Sequence, residues 1–213
     1  MISTKFPNLL PGLLLGLSLL LYSCGTEPAA DAEEATSATT ETTEEAIPAS
    51  DAASTGAAYT TDVLKSDIPS PRKEMRGMVG GAKVAVNYGS PSVNDRTTWG
   101  ELVPFDEVWR TGANECTTIE FSNDVMVEGQ ALPAGRYGLF TQASEDGSMT
   151  VIFNKYSEMW GAGDYDQAQD VLRVTVQRMS TPETSETMEF TIMDGNLVLH
   201  WDDWMVPVSV SAG

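Results

Sequence analysis

A period-two alternation of apolar and polar residues runs through residues 63–213 and constrains the fold more than any other feature. The segment 84–88 shows it clearly, with apolar side chains at every second position. Such spacing places successive side chains on opposite faces of a half-buried strand. Turn-forming pairs such as Asp194-Gly195 separate the alternating segments. The pattern predicts about nine antiparallel strands.

Short strands in this number, without long helical periodicity, are typical of an antiparallel β-sandwich or a partly closed barrel. Helix is predicted only in two short places, around 99–109, which Pro104 interrupts, and around 165–169. A stretch of about 150 residues hides about 70% of its unfolded surface, so one core is sufficient. We therefore expect a single all-β domain over residues 63–213 with one or two short helices.

The first 23 residues have the pattern of a lipoprotein signal peptide. Lys5 precedes an apolar run of about 13 residues, which suits a signal-peptide core and is too short to span a bilayer. The run ends in Leu21-Tyr22-Ser23-Cys24, which resembles the lipobox of bacterial lipoproteins. This pattern predicts lipidation of Cys24, with acyl chains such as palmitate that anchor the protein permanently. The alternative is a plain signal peptide that is cut near Ser23.

Residues 24–62 follow as an acidic segment that has almost no large apolar side chains. Between Gly25 and Asp62 there are nine acidic residues and no basic residue. Such a composition cannot bury enough surface to offset the entropy of ordering. We expect a disordered tether that holds the domain off an outer membrane, facing the periplasm or the cell surface; the alternative is an acidic recognition tail.

Charge and metal-ligand content exclude several classes of protein. The net charge of −19 excludes nucleic acid as a partner, because each phosphate contact needs a cation. Two cysteines and one histidine are too few for a structural zinc site. The loop 164–170 contains three aspartates but lacks the glycine and glutamate of a calcium-binding EF-hand loop. We predict neither a metal nor a cofactor.

The segment 109–115 is rich in residues that a sheet does not need. The planar fork of an arginine suits carboxylates, phosphates or sugar hydroxyls, and a neighbouring tryptophan offers a stacking face. We predict a site here for a small polar ligand, a glycan or a partner protein. The alternative is architectural, with the arginine held by acidic side chains and loop carbonyls. The candidate site residues are Trp109, Arg110, Asn114 and Glu115, joined by Trp160 and Arg173.

Support for catalysis is weaker, because none of the common nucleophile or phosphate-binding motifs occurs. Cys116 is predicted to be a small buried residue, and His200 a surface or packing residue on the strand face opposite Trp201. An envelope hydrolase that uses Glu115 or a nearby aspartate as a general base is the competing hypothesis. A third hypothesis is a purely structural lipoprotein.

Several motifs stand in a fixed order along the domain. They are Ser70-Pro71-Arg72, Asn87 to Pro91, Arg96, Trp99 to Phe105, Trp109 to Glu115, Leu132 to Tyr137, Val151 to Lys155, Trp160-Gly161 and Asp170 to Val174. Over about residues 68–210 they resemble the bacterial domain-of-unknown-function family numbered 2911. The resemblance implies a protein of Bacteroidetes-type bacteria, where members are often secreted proteins or lipoproteins, and it implies no established activity.

Two positions depart from the pattern of that family. The segment Tyr88 to Pro91 reads Tyr-Gly-Ser-Pro, where Tyr-Ser-Arg-Pro is common, and Cys116 stands where alanine is usual. The first departure removes an arginine, which argues against anion binding by the segment 88–91 itself. The second implies that the thiol is incidental.

Overall fold

The structure is a computed structural model and describes residues 59–213. The expected signal peptide, Cys24 and most of the expected tether lie outside the described residues. Eleven strands occupy the described part of the chain. They are β1 (Tyr59–Lys65), β2 (Arg72–Val79), β3 (Ala82–Gly89), β4 (Thr118–Phe121), β5 (Val125–Val127), β6 (Gln130–Leu132), β7 (Gly135–Ala143), β8 (Ser148–Asn154), β9 (Asp170–Gln177), β10 (Met179–Met193) and β11 (Asn196–Ala212).

The strands form two antiparallel sheets that pack around one shared core. The larger sheet has the order β1-β2-β3-β4-β7-β8-β9, and the smaller has the order β10-β11-β5-β6. Neither sheet closes into a barrel, and most of the buried apolar side chains of both belong to one cluster. The predicted all-β class is confirmed, and of the two expected architectures the protein adopts the sandwich.

The inward positions of the alternating pattern form this core. Val84, Val86 and Tyr88 of β3 are buried, as the period-two spacing predicted. Tyr88 meets Phe190 of the smaller sheet edge to face, with ring centroids 5.0 Å apart. The backbone N–H of Phe190 also donates to the Tyr88 hydroxyl over 3.4 Å. Apolar burial and this polar contact together hold the two sheets face to face.

The folded region begins earlier than the composition indicated. Strand β1 starts at Tyr59, four residues before the expected boundary at 63, and Asp62 pairs with Glu74 of β2. Six of the seven residues of β1 are exposed, so the strand has no buried face to produce an alternating pattern. Backbone pairing with β2, rather than apolar burial, defines this edge strand.

The helix expected around 99–109 is absent, and this prediction was wrong. Trp99 and Val103 are buried in a run of turns instead, and the backbone at Gly100 and Asp106 has positive φ angles of 91° and 61°. Left-handed residues at two positions are incompatible with a right-handed helix. Near the second expected position there is one 3₁₀ turn, Gln167–Gln169, which is capped by the Asp166 side chain. Within residues 59–213 no helix is long and apolar enough to cross a membrane.

Candidate functional site

The segment between Trp109 and Thr117 is fastened to β7 by backbone and hydroxyl hydrogen bonds. Trp109 and Thr141 form a two-way backbone bridge with N–O distances of 2.7 and 2.9 Å. The Thr111 hydroxyl donates to the Thr141 hydroxyl over 3.1 Å, and the Thr117 hydroxyl donates to the Thr111 carbonyl over 2.7 Å. Thr111 and Thr117 are fully buried. Their short hydroxyls therefore fix the path of the segment without help from the Arg110 side chain.

Gly112 is required at the point where this segment crosses β3. Its φ angle is +154°, and a Cβ there would lie 2.8 Å from the Gly89 carbonyl oxygen and 2.9 Å from the Thr117 hydroxyl. The next residue, Ala113, donates its N–H to the Gly89 carbonyl over 3.1 Å. Only glycine combines this backbone angle with so close an approach.

Beside this crossing lies a cleft of about 240 Å³, which we call the Arg110 cleft. It is open to solvent on one side and is lined mainly by residues that are far apart in the sequence. The residues that matter chemically are Arg96, Leu102, Trp109, Arg110 and Trp201.

A cluster of tryptophans forms the wall between the cleft and the core. Trp109 stacks on Trp201 at a centroid distance of 5.6 Å, and Trp99 stacks on Trp204 at 4.4 Å. Trp99 also meets Trp201 edge to face at 5.8 Å. Four of the five tryptophans of the chain therefore join the segments around Trp99 and Trp109 to β11. Contacts of this kind add about 0.5–1.5 kcal/mol each beyond area burial, so the wall is rigid.

The Arg110 guanidinium has no partner in the part of the chain that the structure describes. No hydrogen bond or ion pair to residues 59–213 involves it, and its Nε atom is buried without an acceptor. Burial lowers the pKa of Arg110 from its usual value. The architectural alternative expected acidic side chains and carbonyls around this group, and the described residues provide neither.

Two further donors line the cleft, and sequence reasoning did not select them as site residues. Arg96 donates through Nε to the Val93 carbonyl over 2.9 Å and through Nη2 to the Ser92 carbonyl over 2.6 Å, and it has no acidic partner among residues 59–213. Trp201 is 1% exposed, and its indole Nε1 has no hydrogen-bond acceptor. Arg96 was quoted only as part of the family resemblance. Nothing in the local sequence signals that Arg96 and Trp201 line the same cleft as Arg110.

Glu115 and Trp160 lie together in a second cleft, of about 390 Å³, which we call the Glu115 cleft. The two residues pair through a backbone bridge. Arg72 lies beside them, donates to the backbone carbonyl of Glu115 over 3.1 Å, and is 3.9 Å from its carboxylate. The Trp160 side chain is 69% exposed, and Arg136 also lines this cleft.

The remaining two candidate residues serve the architecture. Asn114 has a φ angle of 63°, donates to the Ser70 carbonyl and accepts from the N–H of Gly161, so it connects the two clefts. Arg173 lines neither cleft. Its guanidinium donates to Asp170 and to the Tyr165 hydroxyl, each over 2.9 Å. Of the six predicted residues, two line the Arg110 cleft, two line the Glu115 cleft, and Asn114 and Arg173 line neither.

Cys116 is 1% exposed and packs against Phe140 and Ile152. Burial raises the pKa of its thiol to about 11, although the nearby Arg72 opposes the effect. The thiol donates to the Thr117 carbonyl over 3.2 Å. The prediction of a small buried residue is confirmed, and a protonated thiol is a poor nucleophile at neutral pH.

His200 also fits its prediction, because it is half-buried on the strand face opposite the buried Trp201. Its Nε2 atom lies 3.2 Å from the Glu183 carbonyl oxygen. Within residues 59–213 there is no cluster of three or more histidine, cysteine or acidic side chains that could hold a metal ion.

The fold and the two clefts define an antiparallel β-sandwich domain. Residues 70–210 match the family described as "Protein of unknown function (DUF2911)". The match covers more than half of the 213-residue chain. The protein therefore belongs to the DUF2911 family, as the ordered motifs indicated. No curated protein and no solved structure matched the chain.

Proposed function

We propose that this protein is a lipid-anchored domain of the cell envelope that binds a small polar ligand in the Arg110 cleft. The anchor is supported by the lipobox-like Leu21-Tyr22-Ser23-Cys24 and by the acidic segment that follows. The ligand site is supported by one observation above all, the partly buried Arg110 guanidinium that lacks an acceptor among residues 59–213.

An unsatisfied guanidinium is unfavourable for folding. A buried donor that loses water without gaining an acceptor costs about 1–3 kcal/mol, and a charged donor costs more. Residues 63–213 contain 22 acidic residues, yet none forms an ion pair with Arg110. A ligand that brings acceptors into the cleft would remove this cost. The arrangement is typical of binding sites, where a few polar groups orient a ligand in a mostly preformed cavity.

The Glu115 cleft favours a second candidate function, the binding of a glycan or a partner protein. Trp160 is 69% exposed and Tyr156, on the same loop, is 54% exposed. Exposed aromatic rings beside polar groups are common in surfaces that recognise sugars or proteins. Loss of glycan or protein binding in Trp160→Ala, with the Arg110 cleft still active, would assign that function to the Glu115 cleft.

The two clefts also separate the binding and hydrolytic hypotheses. Glu115, the proposed general base, has a 54% exposed side chain and lies in the Glu115 cleft rather than beside Arg110. Glu115→Gln should remove any turnover while sparing ligand binding in the Arg110 cleft. Arg110→Met should do the reverse.

The proposed function is tested by a thermal-shift screen of the purified full chain in neutral detergent. The panel contains sugars, glycan fragments, peptides, nucleotides and small organic acids. A ligand at 100 times its Kd stabilises the folded state by about 2.7 kcal/mol. We expect Arg110→Met to abolish the shift of the hit without lowering the melting temperature of the free protein. The matched control is Arg136→Met, because Arg136 is an exposed arginine of the Glu115 cleft.

Two results would contradict the proposal. A hit that Arg110→Met binds as tightly as the wild type does would place the site elsewhere. A melting temperature that falls by many degrees in Arg110→Met would show that Arg110 serves the fold. Silence across the panel from a folded protein would favour the structural lipoprotein hypothesis.

A further inference from the structure

We infer that the ligand of the Arg110 cleft is a small organic acid whose carboxylate is held by Arg110 and Arg96 while its apolar body packs against Trp109 and Leu102. This inference rests on the proposed function and specifies its ligand class. It is carried by the sign of the charges that line the cleft, by the unpaired donors, and by the size and polarity of the walls.

The charges of the cleft are opposite to those of the domain. Residues 63–213 carry 22 acidic and 11 basic residues, a net charge of −11. Two of these basic residues, Arg96 and Arg110, line the cleft, and no aspartate or glutamate does. Neither arginine forms an ion pair with an acidic residue in the described part of the chain. Two uncompensated cations in one concavity make it a local site of positive potential.

The unpaired groups are donors, which suits an anion better than a neutral sugar. Arg110 has a guanidinium whose Nε lacks an acceptor, and Trp201, which also lines the cleft, has a buried indole N–H that lacks one too. A carboxylate has about four acceptor positions and no hydrogen to donate, and it pairs with a guanidinium in a bidentate manner. Sugar hydroxyls need acceptors as well as donors. Apart from the Ser70 hydroxyl, no side chain of the cleft has an oxygen atom that can accept.

Arg96 is already oriented before a ligand binds. The carbonyls of Val93 and Ser92 hold its Nε and Nη2 atoms, whereas its Nη1 atom makes no hydrogen bond within residues 59–213. Part of the side-chain entropy of this arginine is therefore lost on folding rather than on binding. The departure from the family at Ser90 does not weaken the site. Ser90 is buried, and its hydroxyl donates to the Met188 carbonyl over 2.7 Å, so the segment 88–91 is not the source of the cations.

The remaining walls limit the body of the ligand. Leu102 is 37% exposed and Trp109 is half-buried, so both offer apolar surface to the cleft. The volume of about 240 Å³ is below the 300 Å³ or more of typical drug-sized pockets. The net charge of the domain repels polyanions, which disfavours nucleotides and anionic polymers. A small acid with one negative charge and an apolar body satisfies all of these conditions.

The test uses three probes that share a phenyl ring, the isosteric pair phenylacetate and phenylacetamide together with phenyl phosphate, titrated by calorimetry into the full chain in neutral detergent. We expect phenylacetate to bind at least 10-fold more tightly than phenylacetamide, and its affinity to fall as the salt concentration rises. Arg110→Gln and Arg96→Gln should each weaken phenylacetate binding at least 10-fold. Arg136→Gln, in the Glu115 cleft, should leave the affinity unchanged.

A second variant keeps the test valid if an arginine substitution perturbs folding. Leu102→Asp places a negative charge on a partly exposed wall of the cleft and leaves both arginines in place. It should weaken phenylacetate binding at least 10-fold and affect phenylacetamide much less. The melting temperature of each variant identifies any that has failed to fold.

The outcomes distinguish this inference from the proposed function. Equal binding of phenylacetate and phenylacetamide, or tighter binding of phenyl phosphate, would overturn the carboxylate assignment and leave a small-ligand site in place. A neutral sugar that binds and depends on Arg110 would do the same. Failure of every probe and of the wider panel would overturn both proposals.

Discussion

Arg110 and Arg173 are two partly buried arginines of the same sandwich, and their surroundings are opposite. Arg173 donates to Asp170, Tyr165 and Gln142 at 2.9, 2.9 and 3.2 Å, whereas Arg110 has no such partner among residues 59–213. Residues 63–213 contain 22 acidic residues. One of them, Asp170, forms an ion pair with Arg173, and none forms an ion pair with Arg110. A guanidinium that is hydrogen-bonded within the protein contributes to the fold, whereas one without an acceptor is available to bind a ligand.

The neighbourhoods of the two arginines reinforce this contrast. Around Arg173, the Asp170 carboxylate also accepts from Asn154 and from the Tyr165 hydroxyl, so a closed network connects β9 to the preceding loop. Around Arg110, the backbone is fixed by Thr111 and Thr117, which leaves the guanidinium without a structural task. The comparison therefore predicts that the two regions respond differently to similar substitutions.

The largest effect is expected for Gly112→Ala, which removes the crossing that supports the Arg110 cleft. The new Cβ would meet the Gly89 carbonyl oxygen at 2.8 Å in a backbone conformation with φ +154°. We expect the free energy of unfolding to fall by about 3 kcal/mol or more, with loss of ligand binding. Urea denaturation measures the change. The control is Gly163→Ala, where a Cβ meets nothing within 4 Å; an equal loss there would refute the steric explanation.

Arg173→Met and Arg110→Met test the comparison directly. Arg173→Met leaves the Asp170 carboxylate, whose side chain is only 8% exposed, without its cation, and we expect a loss of about 2 kcal/mol. Arg110→Met removes an unsatisfied cation, so stability should stay the same or rise. Chemical denaturation of both variants provides the measurement. The comparison fails if Arg110→Met is the more destabilising of the two.

Alkaline pH should destabilise the fold through two buried weak acids, the Cys116 thiol and the Tyr88 hydroxyl. Burial raises the pKa of Cys116 to about 11 and that of Tyr88 to about 12. Because the folded state keeps both groups protonated, their contribution to stability is complete below about pH 8.5 and decreases as the pH rises toward those values. We expect a loss of about 2 kcal/mol between pH 9 and pH 11 from Cys116.

Cys116→Ala is the control for this pH dependence, because it should remove the Cys116 share of the loss between pH 9 and pH 11 and leave the Tyr88 share in place. The pKa of the Cys116 thiol also depends on the charged side chains near it. Arg110 lowers the pKa of Cys116 against the larger effect of burial, so Arg110→Met should raise that pKa further, whereas Arg173→Met should not change it. The ultraviolet absorbance of the thiolate, in a Cys24→Ser background, follows the titration. Identical titrations in all variants would contradict the assigned proximity.

The smallest effect is expected for Arg178→Gln, at the other end of the tryptophan cluster. The Arg178 guanidinium lies 4.6 Å from the ring centroid of Trp204 and donates to the Ser180 hydroxyl. Loss of this cation–π contact should cost about 0.5–1 kcal/mol, and binding in the Arg110 cleft should be unaffected. A melting curve and a phenylacetate titration measure the two quantities. Weaker phenylacetate binding in this variant would contradict the assignment of Arg178 to a structural role.

The sequence predicted part of the Arg110 cleft and wrongly grouped Arg173 with it. The segment 109–115 was predicted to form a site because a tryptophan and an arginine are neighbours in a loop. In the structure, Trp109 and Arg110 line the same cleft. The same reasoning joined Arg173 to them, because an arginine bound to Asp170 and a free arginine look alike in a sequence. The two differ only in their spatial neighbours.

By itself the sequence determined the all-β class, because period-two burial leaves a direct trace in half-buried strands such as β3. It also determined the acidic character of the domain and the family to which the chain belongs. The tertiary structure decided the rest. Strand β1 has no buried face to leave a pattern, and the apolar residues around Trp99 follow left-handed turns rather than a helix. Arg96, Arg110 and Trp201 share one cleft only because the loop between β3 and β4 packs against β11, and local sequence patterns carry no such distances.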